Sequence, residues 1–235
     1  MAIFSNSEIL FRESLPEISP EYIETITRNF KGIKYSIISS VRKKDIHLLD
    51  FLNKNFKICI ELSEKTPIPV KNLYRSPKTL GYDRLAAVVG AATLFPKTNL
   101  LVIDIGSAIT IDFINSKKEY YGGNISPGMM MRFRALHEFT SNLPLRYPDD
   151  RPILMGSDTS GAICAGVQNG LIFELEGYIK KFSEIKSELN VIFTGGDAEF
   201  FVERIRYKVI TDPNLTLKGL NRILKYNLKQ TWSKS

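Results

Sequence analysis

Residues Asn99–Gly128 read NLLVIDIGSAITIDFINSKKEYYGGNISPG, and the rest of the chain is organised around them. Leu100 to Ile103 is an apolar run of the length and β-branched content of a buried strand. It ends in Asp104, with Gly106 two residues on. Ile109 to Ile114 alternates apolar residues with Thr110 and Asp112, which reads as a second strand joined to the first by a hairpin turn. A polar turn at Asn115 to Lys118 leads to Tyr120-Tyr121, Gly122-Gly123 and Pro127-Gly128, and then to an expected helix. A carboxylate at a strand end beside a Gly-rich turn can hold phosphate and metal: the turn exposes backbone N–H groups, Gly106 admits a ligand close to the backbone, and Ser107 adds a hydroxyl. The same residues also read as a tight hairpin whose Asp caps a turn.

The chain has 235 residues, enough for one large domain or two small ones with a full apolar core. At 43% hydrophobic and 24% charged it is an ordinary globular composition. No apolar run approaches the roughly 20 residues of a membrane span, and the N-terminus lacks the basic-then-apolar pattern of a signal peptide. Cys59 and Cys164 sit in apolar segments and read as buried free thiols. With only His47 and His137 besides, a Cys/His zinc site is excluded in practice, and a cytoplasmic location is expected. The net charge of +7 fits acidic small molecules or nucleic acid. Its lysines are scattered, and the densest basic run, Arg42-Lys43-Lys44, is short and lacks aromatics, so a solvated surface outweighs nucleic-acid binding.

Strands are expected at Ala2 to Phe4, Ile9 to Phe11, Tyr35 to Ser39 and Phe56 to Leu62. They alternate with a helix begun by Ser19-Pro20 and another carrying Ile46, Leu49 and Leu52. A Pro-rich loop, Thr66 to Lys78, leads through Leu80-Gly81-Tyr82-Asp83-Arg84 into an Ala/Val-rich helix, Leu85 to Phe95. Beyond the hairpin come a helix carrying Met129, Phe133 and Leu136, a polar loop, and a long helix from Ser160 to Phe182. A strand, Val191 to Phe193, ends in Thr194-Gly195-Gly196-Asp197, and a last helix runs Asn214 to Tyr226. The composition shifts near Pro96, so domains of 1–97 and 98–235 are expected.

Four segments, Gly81-Tyr82-Asp83-Arg84, Asp104-Ile105-Gly106-Ser107-Ala108, Tyr121-Gly122-Gly123-Asn124-Ile125-Ser126-Pro127-Gly128 and Thr194-Gly195-Gly196, together resemble the type III pantothenate kinases in order and context. The resemblance runs from about Ser36 to Ala198 and includes Ser39-Ser40-Val41 and Leu136 to Pro144. It implies an α/β fold of two actin/Hsp70-like (ribonuclease H-like) domains with mixed sheets flanked by helices. It implies transfer of the γ-phosphoryl group of ATP to the primary hydroxyl of pantothenate, with Mg²⁺ and a monovalent cation, K⁺ or NH₄⁺. It also implies a homodimer with pantothenate near the interface, acting on small molecules without nucleic acid or membrane.

Carried over residue by residue, the resemblance makes Asp83 the general base, accepting the substrate hydroxyl's proton. Tyr74, Gly81, Tyr82, Asp83, Arg84 and Thr159 would contact pantothenate. Ser107, where the family usually has Thr, would contact ATP phosphate beside Gly106. Gly195 and Gly196 would let the nucleotide lie against the backbone, and Asp104 would hold the monovalent cation. Read on their own residues, Asp83 and Arg84 also fit a helix start, Thr159 a helix N-cap, and Asp112 either a support of the site or a polar strand residue. His137 and Met129 to Met131 are given no role.

The pattern breaks at the start. The family opens with a strand carrying Asp-x-Gly-Asn-Thr, whose loop holds ATP phosphates. Here Met1-Ala2-Ile3-Phe4-Ser5-Asn6 resembles the second strand of that hairpin. The expectation is that the opening strand and its loop are absent from this sequence. The readings are an incomplete sequence, a shortened protein with weak kinase activity, and a non-catalytic homologue with a binding or regulatory role. Outside the family stand a sugar or acid kinase of the same superfamily and a nucleic-acid-binding or regulatory module.

Overall fold

The computed structural model describes residues 1–39, 45–150, 153–186 and 188–232, without the side chains of 231 and 232. Ser40-Val41 and the basic run Arg42-Lys43-Lys44 lie outside the described residues. The chain forms two compact units, one of Met1–Leu94 with Asn214–Ser235, the other of Phe95–Pro213.

In the first unit, β1 (Ala2–Ser5) and β2 (Glu8–Arg12) form an antiparallel hairpin, Ser5 opposite Glu8. Its turn places Asn6 at φ 52°, a left-handed conformation that Asn tolerates. Helix α1 (Pro20–Asn29) starts as the sequence indicates: Pro20 is the first helical residue, and the Ser19 hydroxyl accepts from Tyr22 N at 3.2 Å. Then β3 (Tyr35–Ile38), α2 (Ile46–Asn55) and β4 (Ile58–Glu61) form a parallel crossover. Ile23, Leu48 and Leu52 pack as one small core. Among the described residues, β1 pairs with β2 and β3 with β4 as separate two-stranded sheets, with no strand joining them. The buried Ser36 hydroxyl on β3 has no hydrogen-bond partner among the described residues.

A short strand, β5 (Lys71–Asn72), and a 3-10 turn (Pro77–Thr79) precede α3 (Tyr82–Leu94). Helix α3 is buried from Arg84 to Ala92 and packs on the C-terminal helix α7 (Leu215–Trp232). The two approach backbone to backbone. A Cβ at Gly219 would collide with the Ala86 carbonyl, and one at Gly90 with the Leu215 carbonyl. This corrects the expected division at residue 97: the chain does change unit after Leu94, but its last helix belongs with the first unit.

The second unit holds the stretch quoted first. Its strands are β6 (Asn99–Ile105), β7 (Ala108–Ile114), β8 (Glu119–Pro127), β9 (Leu189–Thr194) and β10 (Ile210–Thr211), in the spatial order β10-β9-β6-β7-β8. The sheet is mixed: β6 runs antiparallel to β7 and parallel to β9. One face carries Leu101, Ile103, Ile105, Ile109, Ile111 and Phe113 and packs on helices α4 (Met129–Glu138) and α5 (Thr159–Ile185) through Phe133, Val167, Leu171 and Leu175. Leu171 is fully buried there, so Leu171→Ala would cost about 2–5 kcal/mol. A short helix, α6 (Ala198–Val202), follows β9. The α/β fold with mixed sheets and flanking helices matches the sequence expectation.

Candidate active site

The first unit gathers Tyr74, Gly81, Asp83 and Arg84 at the start of α3. The helix begins at Tyr82, before the apolar run that announces it, and its first bond runs from Leu85 N to the Gly81 carbonyl at 3.2 Å. Asp83 is exposed, and its Oδ1 accepts from Arg84 N at 2.8 Å. A carboxylate here also faces the positive end of the helix dipole. A Cβ on Gly81 would collide with that same oxygen, so the glycine leaves room for the Asp83 side chain to fold back. The Arg84 side chain is buried, with its guanidinium carbon 5.7 Å above the Tyr74 ring. Tyr74 is held by its own N–H, which donates to Asn72 Oδ1 at 2.9 Å. Tyr82 is half-buried. It packs near Leu62, Val89 and Ile223 and lines a cleft of about 310 Å³ with Ile68, Val70, Asn72, Leu80 and Leu85.

The second unit gathers Asp104, Gly106, Ser107, Gly195 and Gly196 at one end of its sheet. Asp104 is half-buried near the end of β6, level with Thr110 on β7 and Thr194 on β9. The turn after it is closed by Gly106 N donating to the Ala108 carbonyl at 3.1 Å, and Ser107 is exposed. Gly195 has φ +94°, and a Cβ there would collide with the Ile105 backbone and the Asp104 carboxylate. Asp197 N donates to the Ile105 carbonyl at 2.9 Å, tying the Gly195-Gly196 turn to the end of β6. These turns can lie against a phosphate chain.

Sequence reasoning missed two contributors here. Gly128 N donates to the Ser107 carbonyl at 3.1 Å, and a Cβ on Gly128 would collide with the Gly106 carbonyl. The half-buried Asp197 has its carboxyl pushed above the usual range by burial. Its signal was in plain view, an acid directly after Gly195-Gly196. Beside Ser107 is a cleft of about 380 Å³ lined by Met130, Met131, Arg134, Glu138 and Phe139.

Thr159 is the exposed first residue of α5 and not its cap. Asp158 caps the helix, its carboxylate accepting from Gly161 N at 2.8 Å, which corrects the N-cap reading of Thr159. Asp112 is buried and accepts from the Tyr120 hydroxyl at 2.7 Å. His137 Nδ1 meets the Leu143 carbonyl at 2.8 Å. Among the described residues no three His, Cys, Asp or Glu side chains are grouped to hold a metal ion. A single half-buried carboxylate such as Asp104 can supply one ligand to a cation. It does not suit a closed divalent cage.

Residues 10–181 match the family model described as type III pantothenate kinase. A relative of that name from Christiangramia forsetii is 39% identical over 97% of this chain and 94% of its own length. Another, from Bacteroides fragilis, is 46% identical over 89% of this chain and 86% of its own. Among solved structures, a conserved Baf family protein from Campylobacter jejuni aligns with a TM-score of 0.58 at 24% identity, covering 88% of this chain and 89% of that one. That likeness is one of fold.

Proposed function

The chain belongs to the type III pantothenate kinase family, and on that premise we propose how its residues share the work. It is a kinase that uses ATP to phosphorylate pantothenate to 4′-phosphopantothenate in coenzyme A biosynthesis. Asp83 is the general base: its carboxylate takes the proton of the primary hydroxyl as that oxygen bonds to the γ-phosphorus and the bond to the β–γ bridging oxygen breaks. The observation that carries this reading is the exposed Asp83 carboxylate, anchored by Arg84 N at 2.8 Å in the first turn of α3. Arg84, fixed against Tyr74, pairs with the pantothenate carboxylate. Gly81, Tyr82 and Thr159 complete the substrate contacts.

The Ser107 hydroxyl and the turn at Gly106 bind nucleotide phosphate, and Gly195-Gly196 gives the nucleotide a flat backbone to lie on. Asp104 holds K⁺ or NH₄⁺. Mg²⁺ on the triphosphate would offset part of its charge. A homodimer with the pantothenate site near its interface is part of the proposal. It is supported by large apolar side chains left exposed in the second unit, Phe139, Leu154 and Met155 among them. A cytoplasmic location accords with the absence, among the described residues, of any helix long and apolar enough to cross a membrane.

The test is steady-state kinetics of Asp83→Asn. Loss of a general base lowers kcat about 10²–10⁴-fold, and an unchanged kcat would remove Asp83 from this role. One observation favours a second reading, a weakly active or non-catalytic homologue with a binding or regulatory role: the two-stranded sheets β1–β2 and β3–β4 share no strand among the described residues. Under that reading the chain binds pantothenate, and its affinity for ATP is low.

A further inference from the structure

The second unit holds a side-chain cluster that none of these roles uses. Glu174, in the middle of α5, accepts from the Ser126 hydroxyl at 2.6 Å through Oε1 and pairs with the Arg132 guanidinium through Oε2. Arg132 also donates from Nε to the Pro127 carbonyl at 2.9 Å, and one of its terminal nitrogens is 3.5 Å from the Ser126 hydroxyl. Both partners keep under a quarter of their side-chain surface exposed, 23% for Arg132 and 22% for Glu174. Solvent screens such a pair less than it screens one on the open surface.

The cluster closes on the segment that backs the nucleotide turn. Ser126 and Pro127 end β8, opposite Ile109 and Ala108 of β7. The bond from Gly128 N to the Ser107 carbonyl makes Pro127 and Ala108 a non-hydrogen-bonded pair, so the proline costs the β7–β8 ladder no donor and its carbonyl faces away from β7. Arg132 Nε holds that carbonyl. The next residue, Gly128, donates to the Ser107 carbonyl and lies so near the Gly106 carbonyl that no side chain fits. Contacts therefore run unbroken from Glu174 through Arg132 and Pro127-Gly128 to Ser107. We infer that Glu174 and Arg132 are positioning residues for the nucleotide site, fixing the Pro127-Gly128 segment that sets the conformation of the Gly106-Ser107 turn. The inference rests on the reading of that turn as the site of nucleotide phosphate.

The test uses the full chain with Glu174→Gln, and with Arg132→Lys as the conservative second variant. Gln keeps an acceptor for Ser126 and loses the charge. Lys keeps the charge and loses the planar fork that reaches two partners at once. In nucleotide-free protein, amide exchange at Gly128 is expected to speed up about tenfold in both variants, with Leu101 and Ile103 in β6 unchanged. ATP affinity, measured by titration, is expected to fall about tenfold, with pantothenate affinity within twofold of the parent. Unchanged exchange at Gly128, or a uniform rise through the sheet, would overturn the inference, because the cluster would then be inert or merely structural. Ser107→Ala separates the two levels. Undiminished ATP affinity there overturns the phosphate reading and the positioning role with it. Lost ATP affinity there, with unchanged Gly128 exchange in Glu174→Gln, overturns the positioning role alone.

Discussion

The backbone of Gly195 lies so close to the carboxylate of Asp104 that a single added carbon would strike it, and Gly195 holds φ +94° to do so. Gly195→Ala therefore carries two penalties. An L-residue in this backbone region costs about 1–2 kcal/mol, and the new methyl must displace the Ile105 backbone or the Asp104 side chain. Thermal unfolding should show a lowered Tm, and nucleotide titration a loss of affinity of about tenfold or more. An unchanged Tm with full affinity would mean that the turn is not packed against Asp104 in solution.

Arg84 is 5% exposed and is held over Tyr74, so its guanidinium is oriented before substrate arrives. Hydrogen bonds to charged groups are worth about 1.5–3 kcal/mol. Arg84→Lys should raise the KM for pantothenate about 10–100-fold, with a smaller change in the KM for ATP. Equal effects on both substrates would point to a general structural role for Arg84.

Asp158 and Thr159 are neighbours with separable duties. Asp158→Ala removes the cap of α5 and should lower stability by about 1 kcal/mol. Thr159→Ala leaves the cap in place, so it should raise the KM for pantothenate with little change in Tm. A stability loss confined to Thr159→Ala would reverse the assignment.

Asp197 gives a pH dependence of stability. Burial raises its folded-state pKa above the ordinary carboxylate value of 3.8. A raised pKa means that the folded chain holds the proton more tightly than the unfolded chain. Its contribution to stability is present below pH 3.8 and is lost as the pH rises through the folded value. Asp197→Asn removes the penalty of a charged, half-buried carboxylate. It should raise Tm slightly at pH 7, and the advantage should shrink as the pH falls toward 4. A variant less stable than the parent at pH 7 would show that the charge is stabilised by its surroundings.

The β6–β7 hairpin was legible because its β-branched runs are long and the residues that break them, Gly106 and Ser107, leave only a turn. The start of α1 was legible for the same local reason, a Ser-Pro pair. The start of α3 fell at Tyr82, three residues ahead of the apolar run at Leu85, because Asp83 caps its own first turn and no apolar residue is needed to begin it. The existence of the last helix could be read, but its place could not. Its only signal was Gly219, a residue that costs about 1 kcal/mol inside a helix and is explained by the Ala86 carbonyl against it. Arg132 and Glu174 are 42 residues apart in sequence, and nothing local joins them.

The measurement that tests the central claim most directly is ATP-dependent phosphorylation of pantothenate by this chain in Mg²⁺ and K⁺, with Asp83→Asn alongside. Formation of 4′-phosphopantothenate, reduced about 10²-fold or more by Asp83→Asn, is the expected result. A folded protein that makes none, or one whose activity is indifferent to Asp83→Asn, would contradict it.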